Sequence, residues 1–378
     1  MATQSQAPQQ ASLSKFALYF LKLGCIGFGG PIALVGYMQR DLVDDRHWIS
    51  QEDYLNGLAF SQLAPGPLAA QMAMYLGFVR AGFVGATIVG TAFILPSFLM
   101  VLAIGKAYVS FGGTSIISAL FYGIGAAVVA IIARSAIKLV KTSVKKDKLL
   151  WAIFLVLGVA TAVTEKEIVW LFLAGGLLVM IARTDFSALK RQTSMFFLMP
   201  PAGVLSTTGP LFIFFLKSSL FVFGSGLAIV PFLHGGVVQE HHWLTETQFL
   251  DAVAVAMITP GPVVITVAFI GYLVSGISGA CSAALGVFLP VYLFVVVVGP
   301  LYKRFSGNKV RAFVQGVTAA ATGAIAGAVV VLGKHSIQDY WTIGMAVTTF
   351  LILMKWKVPE PLIIGVAGLL GIVIRLGH

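Results

Sequence analysis

Charge is scarce in this chain of 378 residues: only 10% are Asp, Glu, Lys or Arg, while 58% are hydrophobic and the mean hydropathy is +0.94. A soluble domain carries about 25% charged residues, so this chain has too few to cover a water-facing surface. That excludes a cytosolic enzyme, a nucleic-acid-binding domain and a disordered protein. Cysteine is nearly absent. Cys25 and Cys281 both sit inside apolar segments, and their spacing suggests neither a metal site nor a disulfide framework. Acidic residues are almost absent from the interiors of the apolar runs. Asp53 and Asp251 are read as lying near run starts, and Glu165, Glu167, Asp339 and Glu360 near run ends. No carboxylate cage is therefore offered to a metal cation, which points to an anionic cargo. Walker, HExxH and nucleotide-fingerprint motifs are lacking too, so neither ATP nor any other cofactor is expected.

What fills the chain is long apolar runs. Between charged or Gly/Pro-rich punctuation they cover 15–38, 55–80, 82–105, 115–138, 149–164, 167–183, 208–233, 249–273, 276–299, 312–333, 339–354 and 360–376. They lack the period-two alternation of a barrel, so the expected fold is an all-α polytopic membrane protein lying in a lipid bilayer. Lys plus Arg is 25 against 14 acidic residues. The basic clusters are Arg134–Lys138–Lys141–Lys145–Lys146–Lys148, then Arg183–Lys190–Arg191, then Lys303–Arg304–Lys309–Arg311. They fall between apolar runs and read as cytoplasmic loops; recruitment of an anion is the weaker alternative. Residues 1–14 are polar without a basic n-region and read as a disordered tail. The run from Phe16 contains Lys22 and no cleavage-like site, so it reads as a retained segment.

The chain is duplicated. Adding 195 carries Phe20-Leu21-Lys22 onto Phe215-Leu216-Lys217, Phe28-Gly29 onto Phe223-Gly224, His47-Trp48 onto His242-Trp243 and Pro65-Gly66-Pro67 onto Pro260-Gly261-Pro262. At an offset of 194, Gly82, Gly85 and Pro96 fall on Gly276, Gly279 and Pro290. The expected organisation is a first membrane repeat at 15–190 with a basic loop at 138–148, a linker at 191–207 and a second repeat at 208–378. In the first half the basic loop follows the fourth element; in the second the strongest basic loop precedes it. With both loops on one face, the halves run oppositely, as in the inverted repeats of secondary transporters. An odd number of candidate elements lies between those loops. Some elements interrupted by Gly or Pro must therefore be broken or re-entrant.

Two interruptions recur in both halves. One is Gly24-Cys25-Ile26-Gly27-Phe28-Gly29-Gly30-Pro31, matched by Phe223-Gly224-Ser225-Gly226; the other is Pro-Gly-Pro. Pro67 and Pro262 fit the first turn of a new helix, with Pro65 and Pro260 ending the helix before it and Gly66 and Gly261 between them. Unwound backbone at membrane depth survives only inside protein or beside a water-filled cavity. The N–H groups that open a half-helix favour an anion, here those of Leu68 to Ala70 and Val263 to Ile265. A simple proline kink is the alternative. Ser61, Gln62 and Gln71 flank the first break, and Thr259 and Thr266 the second, as donors for an oxyanion or as interhelical glue. Lys22 and Lys217 sit inside apolar runs at equivalent places. They read as intramembrane charges that raise the local potential, or as lysines snorkelling to the interface.

His234, His241 and His242 surround Glu240, with His47 at the matching loop. This is the basis for a different reading, a membrane-embedded metal enzyme, but the spacing places no two histidines on one helical face. A structural or sensory membrane protein is a third reading, opposed by the paired breaks. Small-residue faces such as Gly323-Ala326-Gly327-Ala328 could pack helices within one chain or in a homodimer, so the oligomeric state stays open.

The run FLKLGCIGFGGP, then DRHWIS, then PGP and the Gly82/Gly85/Pro96 pattern, repeated more weakly after residue 208, resembles the chromate ion transporter family in its long, two-domain form. The second half departs at Ser225-Gly226, where the first has Gly30-Pro31. The resemblance implies a multi-pass inner-membrane protein that moves chromate out of the cell and confers resistance to it. Sulfate, a tetrahedral dianion of similar size, is the natural competitor. On this reading Lys22, Gly29, Gly30, Ser61, Gln62, Gly66, Gln71, Lys217, Gly224, Ser225, Thr259, Gly261 and Thr266 are the candidate anion site, and the chain is not an enzyme.

Overall fold

The computed structural model describes residues 11–111, 114–165, 169–183, 208–220, 222, 229–301, 308–356 and 358–376. Among them every regular element is helical. The first half holds α1 (Leu13–Ile26), α2 (Gly30–Gln39), α3 (Gln51–Leu63), α4 (Leu68–Phe111), α5 (Ser115–Leu139), α6 (Lys148–Thr164) and α7 (Val169–Arg183). The second holds α8 (Thr208–Ser219), α9 (Ile229–His234), α10 (Glu246–Ile258), α11 (Thr266–Leu293), α12 (Asn308–Ser336), α13 (Tyr340–Lys355) and α14 (Glu360–Leu376). The expected tail at 1–14 falls outside the described residues as far as Gln10, and so does the whole linker at 191–207.

Polar caps start these helices where the sequence supplies them. Ser50 accepts from the Asp53 amide before α3, and Thr245, at the equivalent place, forms a capping box with Gln248 before α10. The first two apolar runs of each half are not single spans. The run 15–38 is a re-entrant pair: α1 goes in, the chain breaks at 27–29, and α2 comes back. The return is visible in contacts between the far ends: the Tyr19 hydroxyl donates to Asp41 at 3.2 Å, and the Arg46 guanidinium lies over the Tyr19 and Trp48 rings. The run 55–80 does the same through α3 and the start of α4, with Phe60 stacked on Tyr75 at 5.6 Å and Arg80 donating to the Ala11 carbonyl.

After that return, α4 reverses at Ala81-Gly82, where Gly82 has φ 56°; α11 reverses at Ser275-Gly276, where Gly276 has φ 59°. The two arms at each reversal touch through glycine. A Cβ on Gly77 would meet Gly85, and one on Gly271 would meet Gly279. The Gly82/Gly85 and Gly276/Gly279 pattern thus serves a tight helical hairpin: Gly82 and Gly276 supply the positive φ of the reversal, and Gly85 and Gly279 the close approach of the arms.

The halves interlock by exchanging helices. α12 packs on α6 and α7, while α5 packs on α13 and α14. Gly323 and Gly327 of α12 sit directly on the backbone of α6, so the small-residue face is used inside the chain. Among the described residues four helices are long and apolar enough to cross a membrane: Leu68–Phe111, Ser115–Val144, Val263–Val298 and Asn308–Ser336, counting the short π and 3-10 extensions. α5 ends, and α12 begins, beside one basic cavity. The fourth elements therefore run in opposite directions: the halves are inverted repeats. Re-entrant pairs alone do not even out the count between the basic loops, since α6, α7 and the second arm of α11 leave three single crossings among the described residues.

Candidate functional site

The breaks of the two halves meet in the interior. Gly66 has φ 128° and donates its N–H to the Val222 carbonyl at 2.6 Å; Gly261 has φ 92° and donates to the Gly27 carbonyl at 2.9 Å. Gly27 and Val222 are equivalent positions, so each Pro-Gly-Pro pairs with the first break of the other half. Both glycines are also sterically required. A Cβ on Gly66 would lie 2.7 Å from Val291 Cγ2, and one on Gly261 would run into the Ser97 hydroxyl, which occupies the place equivalent to Val291. Unwound backbone at this depth thus finds its partners within the protein, as a membrane interior demands.

The sequence-predicted residues divide around these breaks. Gly29 (φ 108°) and Gly30 (φ 75°) turn the chain into α2, with Pro31 in its first turn, and all three line a cavity with Gln62. Pro67 immediately precedes α4. Pro262 precedes a 3-10 turn over Val263–Ile265, with α11 starting at Thr266. Gln71 reaches back to donate to the Pro65 carbonyl at 2.5 Å. Its Oε1 and the Ser61 hydroxyl are fully buried with no hydrogen-bond partner among the described residues. In the second half the hydroxyls are committed locally: Thr259 donates to the Val255 carbonyl at 2.9 Å and Thr266 to the Val263 carbonyl at 2.8 Å. Lys22 and Lys217 are both exposed, on α1 and α8, and neither lines the cavity. Gly224 and Ser225 lie outside the described residues.

The cavity, about 800 Å³, is what the sequence reading did not assemble. Its walls bring together Arg134, Lys138 and Lys145 from the end of α5 and the turn after it, Arg183 from the end of α7, and Arg311 from the start of α12. Against these five cations stand two carboxylates, Asp147 and Glu360. Its inner end is formed by the breaks: Gly29, Gly30 and Pro31, then Gln62 and Leu68, and from the second half Met257 and Val263. Asp147 caps α6, accepting from the Leu149 and Leu150 amides, and is paired with Arg183, which also donates to Gln315. The Leu150 amide, and then Arg183, hold the Asp147 carboxyl below the usual carboxylate range. Asp147 is thereby largely neutralised, and the cavity keeps a cationic surplus. One signal for it was legible: Arg134 and Lys138 are four residues apart at the end of an apolar run and so share one helical face.

The histidines have local partners. His47 Nδ1 is 2.7 Å from the Val43 carbonyl, His241 stacks on Trp243 at 4.3 Å, and His234 Nε2 lies 2.7 Å from Glu246. His47 and His242 share a positive φ, so the repeated His-Trp turn is a repeated backbone shape. Among the described residues, no three His, Cys, Asp or Glu side chains are grouped to hold a metal.

Comparison with known proteins adds an independent finding. The family model described as Chromate transporter matches residues 14–180 and 209–372. A chromate transport protein of Cupriavidus metallidurans is 57% identical over 373 residues, covering 96% of this chain and 93% of that protein. A probable chromate transport protein of Synechococcus elongatus is 51% identical over 377 residues, covering 96% and 95%. A chromate transport protein of Pseudomonas aeruginosa is 30% identical over 397 residues, covering 98% and 94%. No solved structure matches this chain.

Proposed function

The chain belongs to the chromate transporter family, and from that premise we propose that it is a secondary transporter carrying chromate out of the cytoplasm across the inner membrane. It works as a transporter and not as an enzyme. The observation that carries the reading is the basic cavity ending on the helix breaks. By the positive-inside bias its mouth faces the cytoplasm. Five cations around one opening concentrate a dianion there. The dianion then meets the half-helix N-terminus at Leu68 and the Gln62 side chain, groups that stabilise oxyanion charge without a fixed ion pair.

Residues of both halves form the inner end of that cavity, so tilting one half against the other would close it and open the opposite face. Gly66 and Gly261 are the joints across which that motion passes. In this scheme Gln71 and Thr266 hold the breaks in shape, and Lys22 and Lys217 anchor their hairpins at the interface. The test is chromate flux into liposomes containing the purified chain, with and without excess sulfate. Saturable chromate flux that sulfate inhibits weakly supports the reading. Sulfate flux that chromate inhibits weakly transfers the site to sulfate, and an absence of both fluxes from folded protein sinks it.

A further inference from the structure

One buried acid has no part in the anion site. The sequence reading puts Asp251 near a span start; it lies five residues into α10, and the structure adds that it is 5% exposed, with its carboxyl group accepting a 2.6 Å hydrogen bond from the Tyr108 hydroxyl of α4. The Tyr108 ring is wedged edge-on between Phe121 and Phe269. The neighbouring helices send their charges elsewhere. On α5, Tyr122 donates to Asp339, while Arg134 and Lys138 face the cavity near Glu360 of α14. On α14, Arg375 lies over the Tyr122 ring. On α12, Lys334 pairs with Glu165, His335 faces Glu246 at 3.7 Å, and Arg311 lines the cavity. Tyr272 of α11 packs against Gly105, Lys106 of α4 is exposed, and Glu240 in the turn before α10 is exposed. Among the described residues no cation pairs with Asp251.

We propose that Asp251 is the proton-binding site that couples anion transport to a proton gradient. This rests on the oxyanion-carrier reading above. A lone carboxylate buried beside one neutral hydroxyl is costly as an anion and cheap as an acid. In the present conformation Asp251 therefore carries its proton, and it gives the proton to water when the opposite face opens. Its position suits that exchange. It lies five residues into α10, about 7 Å from the Glu246 end, on the helix whose other end supplies Met257 to the cavity. A tilt of α10 that closes the cavity uncovers the acid. The equivalent residue in the first half is Asn56, which cannot titrate, so only the second half carries the proton.

The test uses the full chain in liposomes at alkaline pH, where chromate is the dianion, and compares chromate counterflow with uphill accumulation driven by an imposed pH gradient. Asp251→Asn is expected to lose at least tenfold of the accumulation while counterflow persists; accumulation equal to the parent's overturns the proposal. A parent that exchanges chromate without responding to the pH gradient overturns it as well. If Asp251→Asn loses both activities, Tyr108→Phe and infrared spectra decide. A shifted pH midpoint in Tyr108→Phe, and a protonated-carboxyl band that Asp251→Asn removes, support the site. An unmoved midpoint and an unchanged band refute it. A parent that moves no chromate removes the carrier reading, and the infrared band alone then judges the proton site.

Discussion

The two Pro-Gly-Pro breaks share a backbone and differ in chemistry. Both glycines take a positive φ, both donate across to the other half, and both are covered by the residue that the repeat predicts, Val291 over Gly66 and Ser97 over Gly261. Around the first break, Ser61 and one oxygen of Gln71 have no partner, and Gln62 faces the basic cavity. Around the second, the equivalent places hold Ala256, Thr266 and Met257, and the threonine hydroxyls are satisfied by their own helices. Asp251 faces the same contrast with Asn56. Duplication fixed the frame because interlocking turns tolerate no change at their glycines. The side chains that line the frame differ between the halves: unpartnered Ser61 and Gln71 oxygens by the first break, locally satisfied threonines and a buried Asp251 in the second half.

The largest expected effect tests the shared part. Gly66→Ala and Gly261→Ala each force a Cβ into a left-handed turn, at about 1–2 kcal/mol, and into a neighbour as well. Both should lose most folded protein in detergent size-exclusion profiles and more than tenfold of chromate transport. A Gly66→Ala protein that folds and transports like the parent would break the symmetry on which the comparison rests. Next come the cavity cations. Arg134→Ala and Arg311→Ala should each lower transport by about tenfold, the worth of one charge-assisted contact. Lys334→Ala, in an exposed pair on another face, should change it less than about twofold. Equal losses at all three positions would mean that overall charge, and not the cavity, is what counts.

A smaller effect separates the breaks. Gln71→Leu should raise the chromate KM about fivefold through loss of one hydrogen bond that shapes the site. Thr266→Val, removing a bond internal to its own turn, should stay near the parent. Reversal of that order would assign anion contact to the second half. The smallest expected change is in the Lys22→Ala, Lys217→Ala double variant, since both side chains are exposed outside the cavity. Transport within about twofold of the parent fits interface anchoring; a tenfold loss would return the lysines to the anion site.

Much of the site's frame was legible in the residues, for local reasons. Pro65-Gly66-Pro67 and Gly29-Gly30-Pro31 break helices because of their own covalent geometry, and the breaks stand where those residues stand. What the lining does was less legible. Arg183 and Arg311 are 128 positions apart, and each alone reads as a loop charge. Asp251 reads as a span-start residue because hydropathy reports the neighbours along the chain, not the helices packed across from it.

By itself the sequence determined the membrane setting, the duplication, the helix breaks and, through charge on the loops, the opposed direction of the halves. Each of these depends on composition or on φ and ψ at single positions, which neighbouring residues fix. Only the tertiary structure decided that each Pro-Gly-Pro pairs with the opposite half, that α5 and α12 are exchanged, that three separated basic stretches share one cavity and that Asp251 is enclosed with Tyr108. Those are pairings between distant segments. In a bilayer, where most helix faces are equally apolar, side-chain shape and a few polar partners select them, and hydropathy carries no record of the choice.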